Sequence, residues 1–316
     1  MMRRYGRELS VAASIALLAL VLAILAPGYF SGENLADMFL ANMPVLLIAL
    51  GMNMVILTGQ IDISPGSLFA VCGIVAGVLS KFGLPVPLAA LFAILFGAAL
   101  GAVNGALTAW ARIPSIVVTL AAMVALRDGL RWATQGAWVS DLPPGFQWLG
   151  LSQAIYPFLM ATTAIFFTAA IAWFLRTRAG GRAIFATGSN PEAARLAGID
   201  TSLVTFSVFA ATGALTGLAA VLNSVRFNQI PGNAGLGLEM KVIAAVVVGG
   251  TAITGGSGSI AGTVLGVILL GAIGPALTFL GVSAWWERAL QGAIILAAIV
   301  VEVIRERAEK RGAARV

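Results

Sequence analysis

Hydrophobic and polar positions in this chain do not alternate; they are gathered into blocks. Apolar stretches of about 18 to 25 residues recur, each long enough as a helix to cross a hydrocarbon layer roughly 30 Å thick, and most of the charge lies in the short segments between them. Barrel strands would instead show segments of about ten residues with strict in/out alternation. The blocks predict an all-α, polytopic membrane helix bundle of about ten spans, near 9–28, 36–58, 66–82, 86–110, 114–134, 155–175, 203–224, 240–256, 259–281 and 286–304. The third and eighth are short and interrupted by glycine. The whole of 1–316 reads as one transmembrane domain, with its longest internal loop at about 176–203.

A second periodicity lies inside the blocks. Glycines stand four apart at Gly97, Gly101 and Gly105, at Gly213 and Gly217, and at Gly262 and Gly266. In lipid, helix association rests on packing rather than on exclusion of water, and this spacing lets backbones approach closely. These glycines are expected to be structural and to make the bundle compact.

Composition then excludes the soluble alternatives. Of 316 residues, 59% are hydrophobic, 10% are charged and 37 are glycine, with a mean hydropathy of +0.98, which no soluble globule sustains. The absence of histidine and the single cysteine, Cys72, rule out a disulfide framework, histidine-based catalysis and a clustered zinc site. No catalytic residue, metal or bound cofactor is expected.

Charge supplies orientation. Arg3, Arg4 and Arg7 precede the first block; Arg112 sits between the fourth and fifth; Arg176, Arg178, Arg182 and Arg195 follow the sixth; Arg305, Arg307, Lys310, Arg311 and Arg315 close the chain. With ten spans all of these fall on one side, which the positive-inside rule makes cytoplasmic, so both termini are expected inside. The net charge of +6 is thereby explained without nucleic acid. The opening MMRRYGRE and its apolar run imitate a secretory signal but end in Ala26-Pro27-Gly28 without a small-x-small cleavage site, so the run reads as a retained first span.

Polar residues at membrane depth are costly and therefore informative. The densest group, "NMVILTGQIDISPGS", places Asn53, Thr58, Gln60, Asp62 and Ser64 around Gly59 and Pro65, which should interrupt a helix. Broken backbone is tolerated at depth only where protein or a watery cavity satisfies it. These five residues, with Asn104 on the fourth span, are the substrate-path candidates, although a cytoplasmic turn between spans would read the same way. Arg127, Asp128 and Arg131 form a third polar group near the outer end of the fifth span, for which a structural use is favoured.

"GGSGSIAG" (255–262) fits G-x-G-x-x-A but has no acidic residue about 20 positions on and is flanked by spans, so it is not a dinucleotide turn. Nor is there a G-x-x-x-x-G-K-[ST] sequence to bind ATP. Instead "VVVGGTAITGGSGSIAG" (246–262) echoes "VILTGQIDISPGSLFA" (55–70) in the same direction across the membrane, the mark of a duplicated element.

One stretch, "ATGSNPEAARLAGID" (186–200), is out of character with its surroundings. Asn190 suits an N-cap, Pro191 the first helical position, Glu192 the positive end of the dipole and Gly198 the C-terminus, while Ala193, Ala194, Arg195, Leu196 and Ala197 are strong helix formers. A short exposed helix in the longest cytoplasmic loop, Pro191 to Ala197, fits a docking element for a partner.

"GRAIFATGSNPEAARLAGI" (181–199), "LTGQIDISPGS" (57–67), "VTLAAMVALRDGL" (118–130) and "AAVVVGGTAITGGSGSIAGTVLG" (244–266) together, in this order, resemble permease subunits of bacterial ATP-binding cassette importers for monosaccharides, the ribose/xylose-type branch. Gln60 and Pro65 depart from many relatives, and Gln-Ile-Asp-Ile-Ser is closer to the rhamnose and autoinducer-2 branches. The resemblance implies a bacterial inner-membrane subunit, a second permease chain, identical or related, a cytoplasmic ABC ATPase that hydrolyses the ATP, and a periplasmic sugar-binding protein. It also implies that Asn190 through Leu196, with Gly198, engage the ATPase. The rival reading, an ion-coupled secondary transporter of a small polar solute, would require more ionisable groups at mid-membrane than Asp62 alone. An intramembrane enzyme lacks a convergent nucleophile and base.

Overall fold

The protein is described by a computed structural model that covers residues 6–283, 285–287, 289–290, 292–294 and 296. Helices dominate: α1 (Gly6–Leu25), α2 (Gly32–Leu57), α3 (Pro65–Lys81), α4 (Val86–Ala109), α5 (Ser115–Thr134), α6 (Tyr156–Thr177), α7 (Ala179–Ser189), α8 (Pro191–Leu196), α9 (Thr201–Ser224), α10 (Leu238–Val248) and α11 (Ile260–Phe279). Among the described residues the only strand-like feature is the bridge between Val139 and Ile230. Among the described residues six helices, α1, α2, α4, α6, α9 and α11, are long and apolar enough to cross a membrane.

Side-chain caps set several boundaries. Ser31, Asn190, Asp200 and Ser259 each accept a hydrogen bond from an amide in the first turn of α2, α8, α9 and α11, satisfying donors that a helix start leaves orphaned. The tenth predicted span, 286–304, extends outside the described residues, as do Arg3, Arg4 and the basic C-terminal residues. The first span ends at Leu25, where Pro27 opens a short 3-10 turn, Pro27–Phe30. The eighth differs more. Expected over 240–256, its helix stops at Val248, because Gly250, Gly255 and Gly256 all adopt positive φ, a conformation that ends a helix and suits glycine. The 176–203 loop also holds more order than expected, since α7 fills most of its first half.

The bundle is built around α2 and the pair α4–α9. From Val45 to Leu57 every residue of α2 is buried, whereas α4 shows Leu88, Leu91, Phe92, Leu95 and Phe96 outward. That inside-out arrangement suits a lipid surround. The opposite face of α4 carries the predicted glycine seam: a Cβ on Gly97 would lie 2.5 Å from the Gly213 carbonyl oxygen, one on Gly101 3.0 Å from the Gly213 Cα, and one on Gly217 2.8 Å from the Ala93 carbonyl oxygen. Only glycine permits this approach, and dispersion between the two backbones is what it gains.

Two helices, α3 and α10, are shorter than the six apolar ones. After α2, residues 60–64 lie outside any helix and run beside α5: the Ile61 amide donates to Ser115 Oγ (3.2 Å), the Ile63 amide to Thr119 Oγ1 (3.1 Å), and Ser67 Oγ to the Met123 carbonyl (2.8 Å). Met123 lies eight residues into α5, so α3 begins about 12 Å along it at 1.5 Å per residue. Near the other end, the chain after α9 packs Ile230 against Gly77 and then brings Gly235 to Gly66, descending along α3 by about 16 Å. Helix α10 therefore starts inside the bundle, near the start of α3. It returns to the end that carries α7 and α8, where Thr251 meets Asn53.

Candidate functional site

At the α7–α8 end, the short helix forms where its capping residues place it. Asn190 Oδ1 accepts from the amides of Glu192 (3.1 Å) and Ala193 (3.0 Å), and Pro191 occupies the first turn. Gly198, with φ +82°, closes the other end, allowing the Ile199 amide to reach the Ala194 carbonyl at 3.0 Å. Ala194 is the helix's buried residue. Leu196 is 88% exposed, an apolar tip left open by the described residues. Arg195 Nε donates to Thr201 Oγ1 at 2.8 Å, fastening α8 to the start of α9.

Helix α7 links this tip to the two glycine-containing turns. The Gly256 amide donates to the Leu57 carbonyl at 2.9 Å, joining the 249–259 turn to the end of α2. Gly188 packs directly on that junction, where a Cβ would collide with the Leu57 carbonyl oxygen and lie 2.6 Å from the Gly256 nitrogen. The two segments that echo each other in sequence therefore touch, and α7 sits on the point of contact.

The six path candidates fall into different places. Asn53 Nδ2 donates to Thr251 Oγ1 (2.7 Å) and Thr263 Oγ1 (2.9 Å), stitching α2 to both sides of the second turn. Asp62 Oδ1 accepts from the Ser64 amide (2.8 Å) and hydroxyl (2.7 Å), and Asn104 Nδ2 donates to that same hydroxyl (3.0 Å). Thr58 Oγ1 donates to the Val55 carbonyl at 2.7 Å. Buried polar groups require such partners, and Asp62, Ser64 and Asn104 find theirs within the protein, as does the amino group of Asn53, whose Oδ1 is buried without one. Thr58 and half-buried Gln60 line a cavity beside α8.

The larger polar opening was not legible from residue types. A cavity of about 610 Å³ lies at the start of α10, bounded by Pro44 and Val45 of α2, Phe69 of α3, Asn223, Asn233, Lys241 and Trp285. Lys241 Nζ stands 3.9 Å from Glu287 Oε1, so its charge is balanced locally. Arg127, expected to be structural, is so: its guanidinium donates to the Ala234 carbonyl at 2.8 Å and holds the descending segment in place. Glu239, buried in the first turn of α10, fills the space against Gly66. The sequence signal available was Gly235-Leu-Gly237 immediately before charged Glu239 and Lys241, a helix start inside an apolar block. No cluster of three or more potential metal-ligating side chains occurs among the described residues.

Six long apolar helices, shorter helices joined by irregular backbone and a polar-lined cavity among the described residues are the features of a multi-pass helical membrane protein. Residues 34–299 match the family described as branched-chain amino acid transport system / permease component, and the chain belongs to that family of import permeases. It is 36% identical over 297 residues to the autoinducer 2 import system permease protein LsrC of Escherichia coli (strain K12 / DH10B), covering 91% of this chain and 85% of that protein. It is similarly 36% identical to LsrC of Salmonella typhimurium (strain LT2), covering 91% and 84%, and 35% identical to that of Salmonella typhi, covering 94% and 86%. No solved structure matches. The protein is thus a transport subunit and not an enzyme.

Proposed function

We propose that this chain is the membrane-spanning permease of an ATP-driven importer that carries a monosaccharide or a related small polar solute, autoinducer-2 among them, from periplasm to cytoplasm by alternating access. It crosses the bacterial inner membrane ten times with both termini inside. The extended piece before α3 and the descending piece before α10 each complete a crossing that their helices alone are too short to make. A second permease chain, a cytoplasmic ABC ATPase and a periplasmic binding protein complete the assembly.

The observation that carries this reading is α8: a fully capped six-residue helix with an exposed leucine at its tip, mounted on α7 and so on the junction of both turns. Such a helix offers an ATPase a handle. Movement of α7 would displace the ends of α2 and α10 together, and two-state access needs a coupled displacement of that kind. The solute passes through the cavity at the start of α10, where amides supply hydrogen bonds to hydroxyls and Phe69 and Trp285 offer apolar faces. Asn53, Asp62, Ser64 and Asn104 hold the surrounding turns in shape. Transport into proteoliposomes containing the co-expressed ATPase tests the assignment. Uptake should require internal ATP hydrolysis and the binding protein. Uptake that persists without ATP and follows an imposed proton gradient would overturn it.

A further inference from the structure

Helix α6 leaves one face uncovered. Phe158, Ile165, Phe166 and Trp173 are all exposed and recur at helical spacing, so α6 turns an apolar stripe away from the bundle. The stripe stops at Trp173, one turn before the helix ends at Thr177. In a membrane helix a tryptophan in that position marks the boundary between hydrocarbon and headgroups, where its ring stays in apolar surroundings and its N–H reaches water. Three guanidinium groups gather just beyond it. Arg178 is stacked on the Trp173 ring, its Cζ 4.3 Å from the centroid. Arg182 Nη1 donates to the Thr177 carbonyl at 3.2 Å, a bond that uses one of five donors. Arg176 follows Trp173 by three residues and so shares its side of α6.

All three arginines are exposed. The ion pairs among the described residues join Lys81 to Asp141, Arg131 to Asp128 and Lys241 to Glu287, so no described carboxylate is paired with these charges. Arg195, by contrast, is fastened to Thr201. We infer that the corner of α6 and α7 is a binding surface for an anionic phospholipid, with its acyl chains along the α6 stripe and its phosphodiester against Arg176, Arg178 and Arg182. Guanidinium groups suit phosphate oxygens, which they can engage with two parallel N–H bonds. The apolar stripe that runs up to them gives acyl chains a place that an acidic protein segment would not use. Unbalanced positive charge favours an anionic headgroup over a zwitterionic one, whose ammonium it repels. Arg178 is also the residue on which α7 starts, so lipid held there borders the helix that carries α8.

Lipid binding is independent of the transport reading and can be measured on the full chain alone. Purified protein in nanodiscs of mixed phosphatidylcholine and phosphatidylglycerol is irradiated with a photoreactive analogue of one lipid or the other, and the labelled residues are mapped by peptide mass spectrometry. Labelling of 173–182 should favour phosphatidylglycerol by about tenfold, and Arg176→Gln/Arg178→Gln should lose most of that preference, at about fivefold for each charge removed from an anionic surface. Arg178→Lys keeps the charge and should keep the preference. Equal labelling of the wild type by the two lipids overturns the inference, as does a preference unchanged in the double variant while size-exclusion chromatography shows it folded. Loss of co-purified ATPase from the double variant, with its lipid preference intact, also overturns it and assigns the arginines to a protein partner.

Discussion

Two sets of polar residues differ in what stands beside them. Asn53, Asp62, Ser64 and Asn104 are buried and bonded to Thr251, Thr263 and one another. Asn223, Asn233 and Lys241 line a void. The first set closes two interrupted turns and completes them at no cost in exposed backbone. The second leaves donors and acceptors facing space that a polar solute can fill. On the proposed function the first set is scaffold and the second borders the solute, a distinction that burial alone does not make.

That contrast can be broken most severely at the packing that supports both sets. Gly101→Leu would drive a side chain into the Gly213 backbone and should prevent accumulation of folded protein, read by fluorescence size-exclusion chromatography, since neither backbone can yield without parting α4 from α9. Next in size, proline at Ala194 removes the amide bonded to the Asn190 carbonyl and should abolish uptake while leaving the protein in the membrane; Glu192→Ala should retain membrane insertion and lose a smaller part of uptake. Asn53→Leu removes the donor to Thr251 and Thr263, leaving the Thr251 hydroxyl without its partner, and should lower stability by about 1–3 kcal/mol, seen as a depressed melting temperature in detergent. Asn233→Ala and Lys241→Met should do the reverse, cutting uptake several-fold with stability changed by less than about 0.5 kcal/mol. Asp62→Asn comes last, because an amide oxygen still accepts from Ser64; a shift under about 1 kcal/mol is expected. If Asn53→Leu and Asn233→Ala produced the same pattern, the distinction between the two sets would fall.

Much of the fold was readable because lipid imposes simple demands. Apolar length placed α4, α6 and α9 closely and α2 with its start a turn late, and glycine spacing marked helix faces made for close approach, though not which faces meet. Capping chemistry located α8, where Asn190 and Gly198 act as local rules require. The half-length α10 was not readable in the same way. Its boundary depends on Gly249 and Gly266 meeting the backbones of Gly262 and Ala245, and on Arg127 reaching a carbonyl 107 residues away, neither of which a local pattern records. For the same reason no local pattern records that Asn223 and Lys241 border one cavity with Pro44 and Phe69.

The contact of Gly188 with Leu57 and Gly256 is made of main-chain atoms on all three sides. A linkage of that composition is indifferent to the side chains around it, so on the proposed function the lining of the cavity could be rewritten for a new cargo without altering this junction. Specificity and motion would then be separately heritable.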